Sequence, residues 1–494
     1  MRLGEVLLAR GLVQQADIDR ALALQREKGG RLGEHLVAIR ALTPEQLRGV
    51  IDDTPTMPRN VAETGVTRGL LMGLVLKFMR VASCETLPDF ATRMRLSTPV
   101  IQELLDEATQ QKLVYVLGST TVGLMRYMRY ALSDAGRIAA GEALDQSLYL
   151  GPAPISLEAF KAQVLRQKLS NESLNIGRLK KAFAGMIMSE HTIRRLTPAV
   201  SSGRTVLLYG PPGNGKTSVG TRVADVFSDP VFVPHAIEVA GQVIKMYDPG
   251  LHRAYQLPGT PPVAPKNPLL AAAPQGVHVE SFDARWVSCR RPVAMAGGEM
   301  TLDMLELRWD PITKTYDAPL HMKALNGVFL IDDFGRQKVN PTELLNRWIV
   351  PLESRIDYLK LTTGNTFQLP FDELVIFSTN LEPADLMDPA FLRRIPYKIR
   401  MRGPSHADYR EIFHRTAKSF GLEAPDDVID FVIETLTHKG AYELASFQPR
   451  FLCDQAAEEC RCFELPRVIT REIASTALNN LYVGILEEED RIFE

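Results

Sequence analysis

Residues Thr205–Gly220 read TVLLYGPPGNGKTSVG, and this stretch decides the fold. An apolar run, Val206–Tyr209, ends at Gly210. Pro211, Pro212, Gly213, Asn214 and Gly215 follow, then Lys216, Thr217 and Ser218. The spacing fits G-x-x-x-x-G-K-S/T set between a strand and a helix, the context that gives the motif its meaning. Gly210, Gly213 and Gly215 let backbone N–H groups wrap around phosphate oxygens, and the helix that follows aims its positive end at them. Lys216 would then reach the β- and γ-phosphates of a bound nucleotide, and Thr217 would hold Mg²⁺.

Working outward, GVFLIDDFGR (Gly327–Arg336) carries a short, wholly apolar run, Val328–Ile331, as expected of a buried parallel strand. It ends in Asp332 and Asp333, two carboxylates where an α/β sheet holds its ligand. Asp332 would orient Mg²⁺, and Asp333 would align or deprotonate an attacking water. A third apolar run, Leu374–Phe377 in ELVIFSTNLEP, ends in Ser378, Thr379 and Asn380. The Asn380 amide there either holds the water or touches the γ-phosphate, or else starts a turn.

With these three segments in order, the chain resembles the AAA+ ATPases over about Leu174–Leu486: Walker A at Gly210–Thr217, Walker B at Val328–Asp333, sensor 1 at Asn380. The resemblance implies an α/β P-loop core with a parallel sheet and a helical lid, ATP and Mg²⁺ as cofactors, and ATP hydrolysis in a homo-oligomeric ring, a hexamer. It implies arginine fingers at Arg393 and Arg394 in DPAFLRRIPYKI, reaching a neighbouring subunit's nucleotide. It also implies a sensor 2 arginine at Arg450, at the start of a lid helix. Two departures stand out. The second Walker B acid is Asp333 rather than Glu, and Asp332 follows Lys216 at about twice the family's usual separation. An insert is expected over about 235–321. Its Pro-rich half, LPGTPPVAPKNPLLAAAPQG, reads as a mobile loop. Its second half, LELRWDPITKTYDAP, reads as strand, Asp-Pro turn and strand. Trp286, Arg290, Arg291 and Trp309 cluster here, as a partner-engaging hairpin or as an embellishment on the rim.

The expected domains are a helical front end (1–55), a second small domain (66–150), a helical linker (151–200), the core (201–402) and the lid (403–494). Over Gly69–Leu144 the pattern is three helices, a hairpin and a helix. Tyr130, Leu132, Ser133, Gly136 and Arg137 resemble the end of a winged-helix domain. Its third helix carries Glu103, Asp106 and Glu107, the wrong sign for phosphates, so DNA is expected to be an unlikely partner. The alternative is a DNA-associated regulator targeted by this domain.

The front end repeats itself: RLGEVLLARG (Arg2–Gly11) is echoed by RLGEHLVAIR (Arg31–Arg40). Aliphatic pairs broken by Gly11 predict short packed helices. Arg2, Leu3, Gly4, Leu7, Leu8, Gly11, Leu12, Val13, Ile18, Leu22 and Gln25 resemble the amino-terminal domain of type II secretion and type IV pilus assembly ATPases. In some members two such copies bind cyclic di-GMP. That resemblance implies ligand contacts at Arg2, Leu3, Gly4 and Gln25. The second copy has Arg40 where Gly belongs and Thr54 where Gln belongs, so the echo is a half-site or a docking module. A pilus- or secretion-related protein partner follows as an expectation.

Composition agrees with a multidomain protein outside any membrane. The chain has 494 residues, 45% apolar, and a net charge of −2. The longest apolar stretch, near Leu70–Met79, contains Lys77 and is too short to span a bilayer, so no membrane insertion is expected. Five cysteines and no metal-ligand spacing point to a reducing, cytoplasmic setting without zinc.

Overall fold

The structure, a computed structural model, describes residues 3–9, 11–28, 32–122, 125–172, 174–255, 282–439 and 442–482. Its centre is a five-stranded parallel sheet with spatial order Tyr397–Arg400, Val206–Tyr209, Leu374–Thr379, Val328–Ile331 and Val293–Ala296. In chain order that is fifth, first, fourth, third, second. Alternation along each strand divides the apolar side chains between two faces. Val206, Leu208, Val328, Leu330, Leu374, Ile376 and Ile399 meet Leu196 and Val200 of the helix Glu190–Ser202. Leu207, Phe329, Ile331, Val375 and Phe377 meet Leu344 and Trp348 of the helix Pro341–Ser354. Both faces are covered, which is why these strands read as unbroken apolar runs. Full burial of one such Phe or Leu contributes about 1.5–3 kcal/mol.

The second core strand, Val293–Ala296, corrects the expected insert, because it lies inside 235–321. It is four residues long, sits at the sheet edge with Met295 half exposed, and is bracketed by Pro292 and Gly297. A run that short leaves little pattern to detect. The rest of the region builds a second five-stranded sheet. A hairpin of Ala236–Val239 and Gln242–Lys245 is flanked by Ile155–Ser156 on one side and by Thr315–Asp317 and Arg308–Asp310 on the other. The expected strand–turn–strand is therefore present. Trp309 and Tyr316 face each other across it at 4.7 Å, and Asp310 ties the turn by accepting from Ile312 N and Thr313 Oγ1. The Pro-rich run lies outside the described residues. Trp286 and Arg291 are buried, so they pack rather than wait for a partner. Arg291 donates to the carbonyls of Gln167 and Asn326.

The expected linker also contributes to other layers. Ile155–Ser156 belongs to the second sheet, and the helix Glu190–Ser202 belongs to the core. Four short helices at the front, Leu3–Ala9, Gln15–Lys28, Leu32–Ala38 and Pro44–Asp53, share one apolar cluster with that second sheet. Gly11 adopts a left-handed φ of 65° between the first two, as the break required.

Residues 68–146 form helices Arg68–Ala82, Leu87–Met94 and Thr98–Gln110, an antiparallel ribbon Val114–Val122/Met125–Leu132, and a helix Asp134–Gln146. Ser133 caps the last helix by accepting from Gly136 N. This unit is tied to the second sheet where Thr67 donates through N and Oγ1 to the Glu238 carboxylate. The lid is a helical layer over His406–Leu481 with its own core around Tyr409, Phe413, Ile429, Leu452 and Leu478.

Candidate nucleotide site

The site lies at the carboxyl ends of the core strands. After Tyr209 the chain turns through Gly210, Gly213 and Gly215 at φ of 131°, 78° and 78°, values that favour glycine. Space matters as well as φ. A β-carbon on Gly210 would lie 2.4 Å from the carbonyl oxygen of Met401, so the loop can follow this path only without side chains there. The helix Lys216–Arg222 then packs so closely that a β-carbon on Gly220 would lie 2.7 Å from Leu330. That close approach holds the helix's amino end over the sheet edge, where its free N–H groups favour an anion.

Lys216 is buried, and its Nζ donates to the carbonyls of Gly210 (2.9 Å) and Pro211 (2.8 Å). Burial pulls its pKa down, while the charges of Asp332 and Asp333 work in the other direction. Thr217 Oγ1 donates to Asp332 Oδ2 at 2.7 Å. A hydroxyl and a carboxylate brought this close supply two hard oxygens on one side of a cation. That suits Mg²⁺, which takes few protein ligands and keeps water on the rest. Among the described residues no group of three or more His, Cys, Asp or Glu could hold a metal by itself.

Asp333 is exposed and left-handed, at φ 49°. Its Oδ1 lies 3.4 Å from Asn380 Nδ2, a long contact that joins the ends of the third and fourth strands. Gln337, which the sequence reading did not single out, braces this turn. Its Nε2 donates to Asp332 O and its Oε1 accepts from Gly335 N, both at 2.8 Å. No local pattern marks it, since its role depends on the backbone path after Asp332.

Of the loop residues, Pro212, Thr217 and Ser218 are exposed and Asn214 is buried. Asn214 Oδ1 accepts from Ser446 N at 3.2 Å, which joins the loop to the lid. Arg450, the third residue of the lid helix Gln448–Cys462, is exposed. The two candidate fingers differ. Arg393 is exposed, whereas Arg394 donates to Glu353 (2.5 Å) and to the carbonyl of Ala390 (2.9 Å). At the front end Leu3, Gly4 and Gln25 are buried, so a ligand could reach them only if the packing opened. Arg2 lies outside the described residues.

A family model described as "Domain of unknown function (DUF8689)" matches residues 405–480, the lid. No curated protein matches the chain. Among solved structures, the Thermotoga maritima RuvB Holliday junction branch migration motor is 14% identical, with a TM-score of 0.34 over 62% of this chain and 74% of that one. NtrX from Brucella abortus is 10% identical, with a TM-score of 0.36 over 64% of this chain and 60% of that one. At these identities and TM-scores the likeness is one of overall fold and carries nothing finer. The expectation that DNA is an unlikely partner is corrected by this finding: the RuvB motor is named for the Holliday junction, a structure made of DNA.

Proposed function

We propose that the chain is an ATP-hydrolysing motor of the AAA+ type that acts on DNA. The observation that carries the ATPase reading is the hydrogen bond between Thr217 and Asp332, made across two strands of a sheet ordered fifth, first, fourth, third, second. It brings the loop that would cradle the phosphates to the carboxylate that would orient Mg²⁺. In this reading Lys216 neutralises phosphate charge, Asp333 and Asn380 align the attacking water, and Arg393 reaches a neighbouring subunit in a ring. Mg²⁺, when bound, supplies Lewis-acid stabilisation of the charge that develops on the phosphates.

Two features favour DNA at the 68–146 unit. Two of the three acids that seemed to repel phosphate are paired: Arg68 holds Glu103 and Glu107, and Glu103 also accepts from Val61 N, while Asp106 is exposed and accepts from Gln102. The ribbon segment Lys112–Leu132 contains Lys112, Arg126 and Arg129 and no carboxylate; Arg129 is paired with Glu85, which leaves Lys112 and Arg126 for a backbone. A winged-helix reading places such a ribbon against a backbone. A protein partner is the second reading. It is favoured by Val116, Leu117, Met125 and Met128, which are exposed on the same ribbon, and by the front end's likeness to secretion and pilus ATPases. Cyclic di-GMP at the front end would require Gln25 to leave its buried place.

Phosphate release measured with and without duplex DNA tests both parts. Lys216→Ala should abolish turnover, and duplex affinity should fall steeply with salt and further in Arg126→Ala. Turnover retained in Lys216→Ala rejects the motor. Salt-independent or absent DNA binding, with turnover intact, moves the partner to protein.

A further inference from the structure

Three side-chain groups around the loop lie outside the usual motif letters: Gln337, Met186 against Gly215, and the pair Asn214 and Phe447. The last is carried furthest. We propose that Asn214 and Phe447 form a clasp by which the lid positions the phosphate loop for turnover, an inference that rests on the nucleotide reading above.

Phe447 immediately precedes the lid helix Gln448–Cys462. Its ring lies against Gly213, where a β-carbon would stand 2.1 Å from Cδ1 and 3.0 Å from Cγ. A ring seated this way fixes the lid's height above the loop, because any side chain at residue 213 would unseat it. Beside it, Asn214 is 5% exposed and divides its amide. Oδ1 accepts from Ser446 N of the lid, while Nδ2 is buried and has no hydrogen-bond partner among the described residues. A buried donor left unpaired is costly, and the loop exists to surround acceptors. Phosphate oxygens entering the loop would give Nδ2 its partner and would draw tight the amide that already holds Ser446.

The lid side of the clasp is stiff. Gln448, fully buried, accepts from Ala445 N and donates to Glu443 O and to the hydroxyl of Tyr482. Movement at Ser446 and Phe447 is therefore passed to the whole helix start. Arg450 stands three residues on, one turn along the same face. Phe447 is a positioning residue, acting by setting where the loop and Arg450 stand; Asn214 does the same through Ser446 and would also meet the phosphate itself.

The test measures kcat and KM for phosphate release, together with the Kd of a fluorescent N-methylanthraniloyl ATP, on the full chain. Phe447→Ala should lower kcat about tenfold and change Kd by less than about threefold, and Phe447→Tyr, which keeps the ring, should stay within about twofold of the parent. Asn214→Ala should lower kcat by a similar factor and, because it also removes the Nδ2 donor to phosphate, raise Kd as well. The double variant should lose little beyond the worse single, since both cut one clasp. Parental kcat in folded Phe447→Ala, additive losses in the double variant, or a Phe447→Tyr as impaired as Phe447→Ala would each overturn the clasp. If Phe447→Ala does not fold, Asn214→Ala decides alone, and parental kcat there is again fatal. Lys216→Ala separates the two levels. If it keeps nucleotide binding, the site reading fails; if it loses binding while the clasp variants behave as parent, only the clasp fails.

Discussion

Asp333 presents its carboxylate from a left-handed turn, at φ 49°, where a side chain other than glycine is strained by about 1 kcal/mol or more. The strain is held in place by neighbours. Gln337 ties the backbone on both sides of it, and Phe334 N donates to Ser378 O. A residue kept strained at the mouth of a phosphate loop fits a catalytic role better than a packing one. Asp333→Asn keeps the shape and the contact to Asn380 but cannot accept a proton from water. It should retain nucleotide binding and lose turnover by about a hundredfold or more, checked by equilibrium binding beside phosphate release. Parental turnover would place the base elsewhere. Gln337→Ala should lower turnover less, because it loosens the turn without removing the carboxylate.

At the scale of elements, what the sequence made legible was what local chemistry writes. The strands ending at Tyr209, Ile331 and Thr379 were visible because burial on both faces demands unbroken apolar runs. The strand Val293–Ala296 was hidden, since four residues between a proline and two glycines carry no period. The second sheet was hidden for a different reason. Its strands come from residues as distant as Ile155 and Tyr316, and only the folded chain pairs them. The same applies to Asp357, which joins three elements: His321 from the helix Leu320–Lys323, Arg347 from the helix Pro341–Ser354, and its own strand. Burial works against its charge, but hydrogen bonds from His321 and Arg347 outweigh that and hold its pKa down to about 2. A folded pKa below the unfolded value gives stability that is present above the unfolded pKa and lost as pH falls from about 4 through about 2. The linkage is worth on the order of 2 kcal/mol. Thermal melts of Asp357→Asn should therefore start lower at neutral pH and fall less steeply on acidification. A parental acid limb would remove Asp357 from the account.

At the scale of the whole molecule, the front helices, the second sheet and the 68–146 unit are joined by one apolar cluster, the Thr67–Glu238 bonds and the bond from Gln163 to Asp53 O. Asn326, just before the core strand Val328–Ile331, donates to Val164 O and accepts from Gln167, which ties this body to the core, so in the motor reading a force generated at the nucleotide would reach a partner held at the ribbon. Generating that force in a ring needs one subunit to complete another's site, and the two candidate arginines are not equivalent for this. Arg394 is spent within its own chain on Glu353 and Ala390, while Arg393 is exposed at the end of the helix Pro389–Leu392. A guanidinium that crosses an interface has to be free of partners at home. Arg393→Ala should then abolish turnover while leaving nucleotide binding intact, and Arg394→Ala should mainly lower the melting temperature through loss of the Glu353 tie. Mixing supplies the decisive case. Lys216→Ala subunits offer an intact Arg393 and a dead loop, and Arg393→Ala subunits offer the reverse. In a mixed ring some interfaces pair a working loop with a working arginine, so phosphate release should reappear when two inactive preparations are combined. If mixed rings form and stay inactive, Arg393 serves its own subunit, and the ring is not what completes the site.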